Sequence, residues 1–238
     1  MRLDGYGGIE ARKGTRPPRD GRLEGTLKSI PALYAIADRG TLDARGVRVA
    51  EFARELRDAG VRLLQYRDKV GGAQEVLRVA AEISAVFDGV EATLILNDRA
   101  DLAVLAGWSG VHVGQGDLVP EDARRVLGAG LIGVSTHNEQ QVLRVAQDDN
   151  FKDADYVAVG PVFGTSTKLD AEPVVGLEGV RRARALTKKP LVAIGGITLR
   201  NARSVVDAGA DSVAVIGGLF VEGRTVGEVV RDFLEILR

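Results

Sequence analysis

Residues 191–218 read LVAIGGITLRNARSVVDAGADSVAVIGG. Two apolar, largely β-branched runs, 191–194 and 212–216, flank a helical stretch, 201–208, that closes at Gly209. Short runs that stay apolar without alternation suit parallel strands buried on both faces. Each run ends in a glycine pair, Gly195-Gly196 and Gly217-Gly218. The stretch is one strand–helix unit followed by the start of the next.

The same unit recurs upstream. Further strand runs lie at 33–37, 62–66, 93–96, 110–113, 131–135 and 156–160. Helical patterns lie at 47–59, 76–87, 100–106, 120–127, 138–146, 177–186 and 226–237, several with an apolar stripe at helical spacing. Gly60 and the Gly128-Ala129-Gly130 stretch close helices as Gly209 does. Eight near-equal units without a dinucleotide fingerprint predict a (β/α)₈ TIM barrel over residues 31–238, rather than an open doubly wound sheet. Residues 1–30 differ. They hold seven Lys/Arg, four acids, six glycines and Pro17-Pro18, with few large apolar groups. Such a segment buries too little to offset its ordering entropy, so a flexible basic extension is expected. It lacks the aromatic interleaving of an RNA-binding arm.

Composition narrows the function. Among 238 residues there is no cysteine, which excludes a disulfide framework, a thiolate zinc site and a cysteine nucleophile. A net charge of -1 gives no global attraction to nucleic acid or anionic lipid. No apolar run is long enough to cross a bilayer, and no secretory pattern opens the chain, so a cytoplasmic location is expected.

In a TIM barrel the chemistry sits at the C-terminal ends of the strands. The second strand ends Gln65-Tyr66-Arg67-Asp68-Lys69. Alternation puts Gln65, Arg67 and Lys69 on one side and Tyr66 and Asp68 on the other. The two cations read either as an anion clamp or as a solvated loop. Strand three ends Asn97-Asp98, and strand four runs on to Asp117. Each aspartate alone reads as a cap or turn residue. On adjacent ends the pair suits one hard cation with retained water, the Mg²⁺ arrangement. Ser135, ending strand five, either caps the next helix or binds an anion. Strand six is followed by Gly164-Thr165-Ser166-Thr167-Lys168, a long loop rich in hydroxyls with a cation. The glycine pairs after strands seven and eight suit a phosphate held by backbone N–H groups. Two anion sites, one with a metal, suggest a reaction between two phosphorylated small molecules.

The six stretches 65–69, 97–98, 112–117, 133–137, 160–168 and 195–197 together resemble thiamine-phosphate synthase (thiamine-phosphate pyrophosphorylase) over about residues 31–238. The resemblance implies a transferase of thiamine biosynthesis. It would join 4-amino-2-methyl-5-(diphosphooxymethyl)pyrimidine to 4-methyl-5-(2-phosphoethyl)thiazole, or its carboxylate, giving thiamine phosphate and pyrophosphate. By that resemblance Gln65, Tyr66, Arg67, Asp68 and Lys69 hold the pyrimidine diphosphate, with Asn97 on the pyrimidine side. Asp98 and Asp117 would ligate Mg²⁺. Ser135 and Lys168 would touch the diphosphate. Arg67, Lys69, Lys168 and Ser135 would carry the catalysis. Thr165, Ser166, Thr167, Gly196, Ile216 and Gly217 would take the thiazole phosphate. Gly164 stands where the family often has proline, and Gly217 where serine is frequent.

A related thiazole tautomerase uses a histidine at the position of His137, but retention of Lys69, Asp98, Asp117 and Lys168 favours the synthase. His137 then reads as a residue supporting the site or starting a helix, and His112 as a satisfied core histidine. A non-catalytic phosphate-sensing barrel is the alternative of another class. Small-molecule partners are expected, with no nucleic acid or membrane; a homodimer is one option the sequence leaves open.

Overall fold

The computed structural model describes residues 30–165 and 172–238. Eight parallel strands close into a barrel in sequence order: β1 (Leu33–Asp38), β2 (Leu63–Arg67), β3 (Thr93–Asn97), β4 (Gly110–Val113), β5 (Leu131–Thr136), β6 (Tyr156–Val159), β7 (Leu191–Ile194) and β8 (Ser212–Val215). β8 pairs back onto β1, with Leu33 opposite Val213. This is the (β/α)₈ TIM barrel the repeated unit predicts, and each strand lies within about a residue of its expected span.

The strand period of two sorts side chains into two apolar layers. Leu64, Tyr66, Leu94, Leu96, Val111 and Val113 face outward, into a core shared with the helices. Tyr34, Ile36, Leu63, Ile95, Tyr156, Ala158, Val192 and Ala214 fill the barrel itself. Ile30 joins this inner cluster and is buried. Residues 1–29 lie outside the described residues.

Nine α-helices ring the strands among the described residues: α1 (Arg39–Ala44), α2 (Val49–Ala59), α3 (Ala73–Val86), α4 (Ala100–Ala106), α5 (Pro120–Leu127), α6 (Glu139–Gln147), α7 (Gly176–Leu186), α8 (Ala202–Asp207) and α9 (Val226–Ile236). α1 is the element that periodicity does not show. Asp38 caps it by accepting from the backbone N–H of Thr41 at 2.9 Å and from its hydroxyl at 2.7 Å. Six residues are too few to carry an amphipathic stripe. The polar segment after α6 folds into a short 3₁₀ turn, Asp149–Phe151, whose Phe151 is buried beneath the Arg144 guanidinium.

Gly133 shows how tightly the barrel is filled. A Cβ there would stand 2.0 Å from Cζ of Tyr156 and 2.3 Å from its hydroxyl oxygen. The glycine makes room for a ring that is fully buried. Gly133→Ala is expected to cost about 1–3 kcal/mol or more, because a packed interior cannot absorb the overlap. Gly116→Ala, with nothing within 4 Å of its Cβ position, is the control. Urea unfolding of both variants checks this; equal midpoints would show that Tyr156 has room to move.

Candidate active site

The ends of β2, β3 and β4 bring charge together at the mouth. Asp98 follows β3 with φ 62°, a left-handed backbone that a non-glycine residue rarely adopts. That turn sets its carboxylate beside Asp117, in the loop after β4, and against the ammonium of Lys69. Burial, then the neighbouring Asp117, pushes the Asp98 carboxyl above its ordinary value, against the pull of Lys69. Asp117 is exposed and also accepts from the backbone N–H of Gly114 at 2.8 Å. Among the described residues no cluster of three or more His, Asp or Glu forms a complete metal cage. A cation here would have two protein carboxylates and take its remaining oxygens from water or a ligand. This suits Mg²⁺, which keeps several waters and binds through one or two carboxylates.

The two cations after β2 do have carboxylate partners. Arg67 donates to Asp38 at 2.5 Å in a largely buried pair, and Lys69 pairs with Asp98 at the surface. Gln65 and Arg67 lie on the inner side, as alternation predicts. Tyr66 does not reach the mouth: it is 0% exposed and packs in the outer layer. Its hydroxyl donates to Asp68 at 3.0 Å. Asp68 accepts from the backbone N–H of Val70 at 3.0 Å and of Gly71 at 2.7 Å, with its carboxylate almost wholly buried. Tyr66 and Asp68 thus brace the loop that presents Lys69.

Ser135 stands on the inner side of β5, half-buried, and its Oγ lies 2.8 Å from Nε2 of His112. His112 is 8% exposed, the satisfied interior histidine expected. Its Nδ1 lies 3.0 Å from the Tyr156 hydroxyl. Asn97, ending β3, has a buried side-chain nitrogen with no hydrogen-bond partner among the described residues. His137 supports the start of α6: its Nδ1 donates to the Gly160 carbonyl at 2.7 Å, and its backbone N–H donates to Gln141 at 2.7 Å.

On the opposite side, the loop after β6 lies flat on the glycine pair after β7. Val162 and Phe163 donate to the carbonyls of Ile194 and Gly195 at 2.9 and 3.0 Å. A Cβ on Gly196 would stand 2.6 Å from the Gly164 carbonyl oxygen, so this seam admits only glycine. Thr165 lies on the same loop. Ile216 packs on the barrel filling, and Gly217 opens a 3₁₀ turn, Gly217–Leu219. The other three expected residues of this region, Ser166, Thr167 and Lys168, lie outside the described residues.

A family model described as thiamine monophosphate synthase matches residues 33–219, which span all eight strands and both sides of the mouth. The chain belongs to that family. The thiamine-phosphate synthase of Koribacter versatilis is 51% identical over 211 residues, covering 87% of this chain and 96% of its own. That of Chloroflexus aurantiacus is 39% identical over 187 residues, covering 79% and 84%. The solved thiamine phosphate pyrophosphorylase from Pyrococcus furiosus superposes with a TM-score of 0.75 at 30% identity, covering 87% and 95%.

Within this thiamine monophosphate synthase barrel, residues that periodicity did not single out hold those it did. Asp38 fixes Arg67, and the Arg39 guanidinium lies 3.8 Å from the Asp68 carboxylate. The available signal was the Asp38-Arg39 pair at the end of β1, the polar punctuation seen at the other strand ends.

Proposed function

We propose that this chain is a transferase that joins the pyrimidine diphosphate to the thiazole phosphate, or its carboxylate, and releases thiamine phosphate and pyrophosphate. The observation that carries the reading is the facing pair Asp98 and Asp117 with Lys69 at the mouth, across the barrel from the glycine seam at Gly196. One side suits a diphosphate with a hard cation; the other suits a single phosphate approached by backbone.

The C–O bond between the pyrimidine methylene and the diphosphate breaks, and its electron pair leaves with pyrophosphate. The electron-rich aminopyrimidine supports the resulting benzylic-type cation. The thiazole nitrogen then supplies the electron pair of the new C–N bond. A carboxylated thiazole also loses CO₂. The protein has little covalent work to do; it orients the partners and neutralises the departing charge. Asp98 and Asp117 would hold Mg²⁺, which when bound offsets the diphosphate charge. Lys69 turns from Asp98 toward the leaving oxygens, while Arg67, anchored on Asp38, keeps its planar fork aimed at the same anion. Ser135 donates its hydroxyl proton as a hydrogen bond. By the family resemblance Lys168 would touch the diphosphate and Ser166 and Thr167 the thiazole phosphate, together with Thr165, Gly196, Ile216 and Gly217. Asn97 offers its unpartnered nitrogen to a pyrimidine acceptor, relieving about 1–3 kcal/mol of burial cost.

Pyrophosphate release with both substrates tests the reading. Turnover that needs both substrates and Mg²⁺ is expected. Turnover without a divalent cation would remove the metal, and isomerisation of the thiazole carboxylate without pyrophosphate would make the chain a tautomerase. Binding without either reaction would make it a sensor. Deleting residues 1–28, which spares the inward-facing Ile30, is expected to leave turnover and thermal midpoint nearly unchanged. A loss of either would tie the extension to the barrel.

A further inference from the structure

A row of five side chains crosses the barrel interior beneath the mouth. Gln65 Nε2 donates to the Tyr34 hydroxyl at 2.7 Å. The hydroxyls of Tyr34 and Tyr156 are 3.0 Å apart. Tyr156 then meets Nδ1 of His112 at 3.0 Å, and Nε2 of His112 meets Ser135 at 2.8 Å. The row joins β2, β1, β6, β4 and β5, and its two ends are residues placed on the substrate. Nothing in its spacing along the chain reveals it, since Tyr34 and Tyr156 are 122 residues apart.

We infer that this row is directional, and that Tyr156 and His112 act as positioning residues that fix Ser135 as a hydrogen-bond donor to the bound ligand. The direction follows from counting protons. Each phenol has one proton, and burial holds both phenols protonated by raising them well above their ordinary values. Tyr34 accepts from the amide of Gln65, so its own proton must go to Tyr156. Were it reversed, the Tyr34 proton would be buried without an acceptor among the described residues, at a cost that a barrel core avoids. Tyr156 must in turn donate to Nδ1 of His112. The ring is then protonated on Nε2 and donates to Ser135 Oγ. The serine proton is left to point out of the row, toward the mouth. In the opposite arrangement Ser135 would give its proton to His112 and offer a lone pair to the anion, which repels one.

The two arrangements differ in one observable that requires no turnover. The chain has only two histidines, so nitrogen-15 labelling of histidine gives a spectrum of two rings. His137 serves as the internal reference: its Nδ1 faces a carbonyl and must carry the proton. His112 is expected in the other tautomer, protonated on Nε2 alone, and His137→Gln assigns the two rings. A proton on Nδ1 of His112 in the native protein overturns the inference. Tyr156→Phe keeps the ring in the core and removes both of its links. It is expected to let His112 populate both tautomers and to lower kcat by about ten- to a hundredfold, with the KM of each substrate within about twofold. A single unchanged tautomer, an unchanged kcat, or a loss confined to KM would each count against it. Tyr34→Phe, which severs the row at its other link, is expected to act in the same direction; wild-type behaviour would overturn the coupling from Gln65. The role assigned to Ser135 rests on the transferase reading. If the native protein releases no pyrophosphate, that reading fails by itself, and the tautomer of His112 still decides the direction of the row.

Discussion

Asp117→Ala is expected to lower turnover by about a hundred- to a thousandfold while the barrel stays folded. Asp117 is exposed, so its removal leaves no cavity, and its N–H···O contact with Gly114 is lost at a solvent-facing turn along with its contact to Asp98. Its stability cost should lie within about 0.5 kcal/mol. Burial is the larger cause of the raised Asp98 carboxyl and the Asp117 neighbour a lesser one, so removing Asp117 should move that group partway back toward the ordinary carboxylate range. The expected signature is loss of pyrophosphate release with a normal unfolding midpoint, and a higher Mg²⁺ concentration for half-maximal residual activity. Near-wild-type turnover would take Asp117 out of the site.

Arg67→Ala is expected to act on activity and stability together. Asp38 is almost fully buried and leans on Arg67, although it keeps its two bonds to Thr41. Taking away the guanidinium leaves a buried carboxylate short of a charged partner, which costs about 1–3 kcal/mol. Turnover should fall by about a hundredfold or more, because the fork no longer meets the departing anion. Arg67→Lys separates the two effects: it restores charge to Asp38 and much of the stability, but not two-pronged recognition of phosphate. Steady-state kinetics in each substrate decide the placement. An effect limited to the thiazole phosphate would move Arg67 to the other side of the mouth.

The barrel was legible because its strands are continuous apolar runs and its helices end on glycine, as at Gly60, with φ 98°. The charged residues at the strand ends were legible for the same reason, since polar groups following buried strands stand out. What stayed hidden depends on contacts between distant residues. Arg67 and Lys69 read as an anion clamp or a solvated loop, with no sign that Asp38 and Asp98, each 29 residues away, hold them. Alternation set Tyr66 and Asp68 apart from Gln65 and Arg67, but not the bond between them or the nearby Arg39 guanidinium. α1 was hidden because a single capping side chain, rather than a repeating stripe, sustains it.

Gly133 and Tyr156 share one volume inside the barrel. The space a side chain would occupy at 133 is spent on the ring at 156, and that ring carries the middle of the polar row. The two positions are therefore not free to drift separately. A lineage that enlarges residue 133 must first shrink residue 156 and give up its hydroxyl, passing through an intermediate with a hole in its core. Exchange at the pair is a double step across a fitness valley, so a residue with no chemistry of its own inherits the constraint of one that has it.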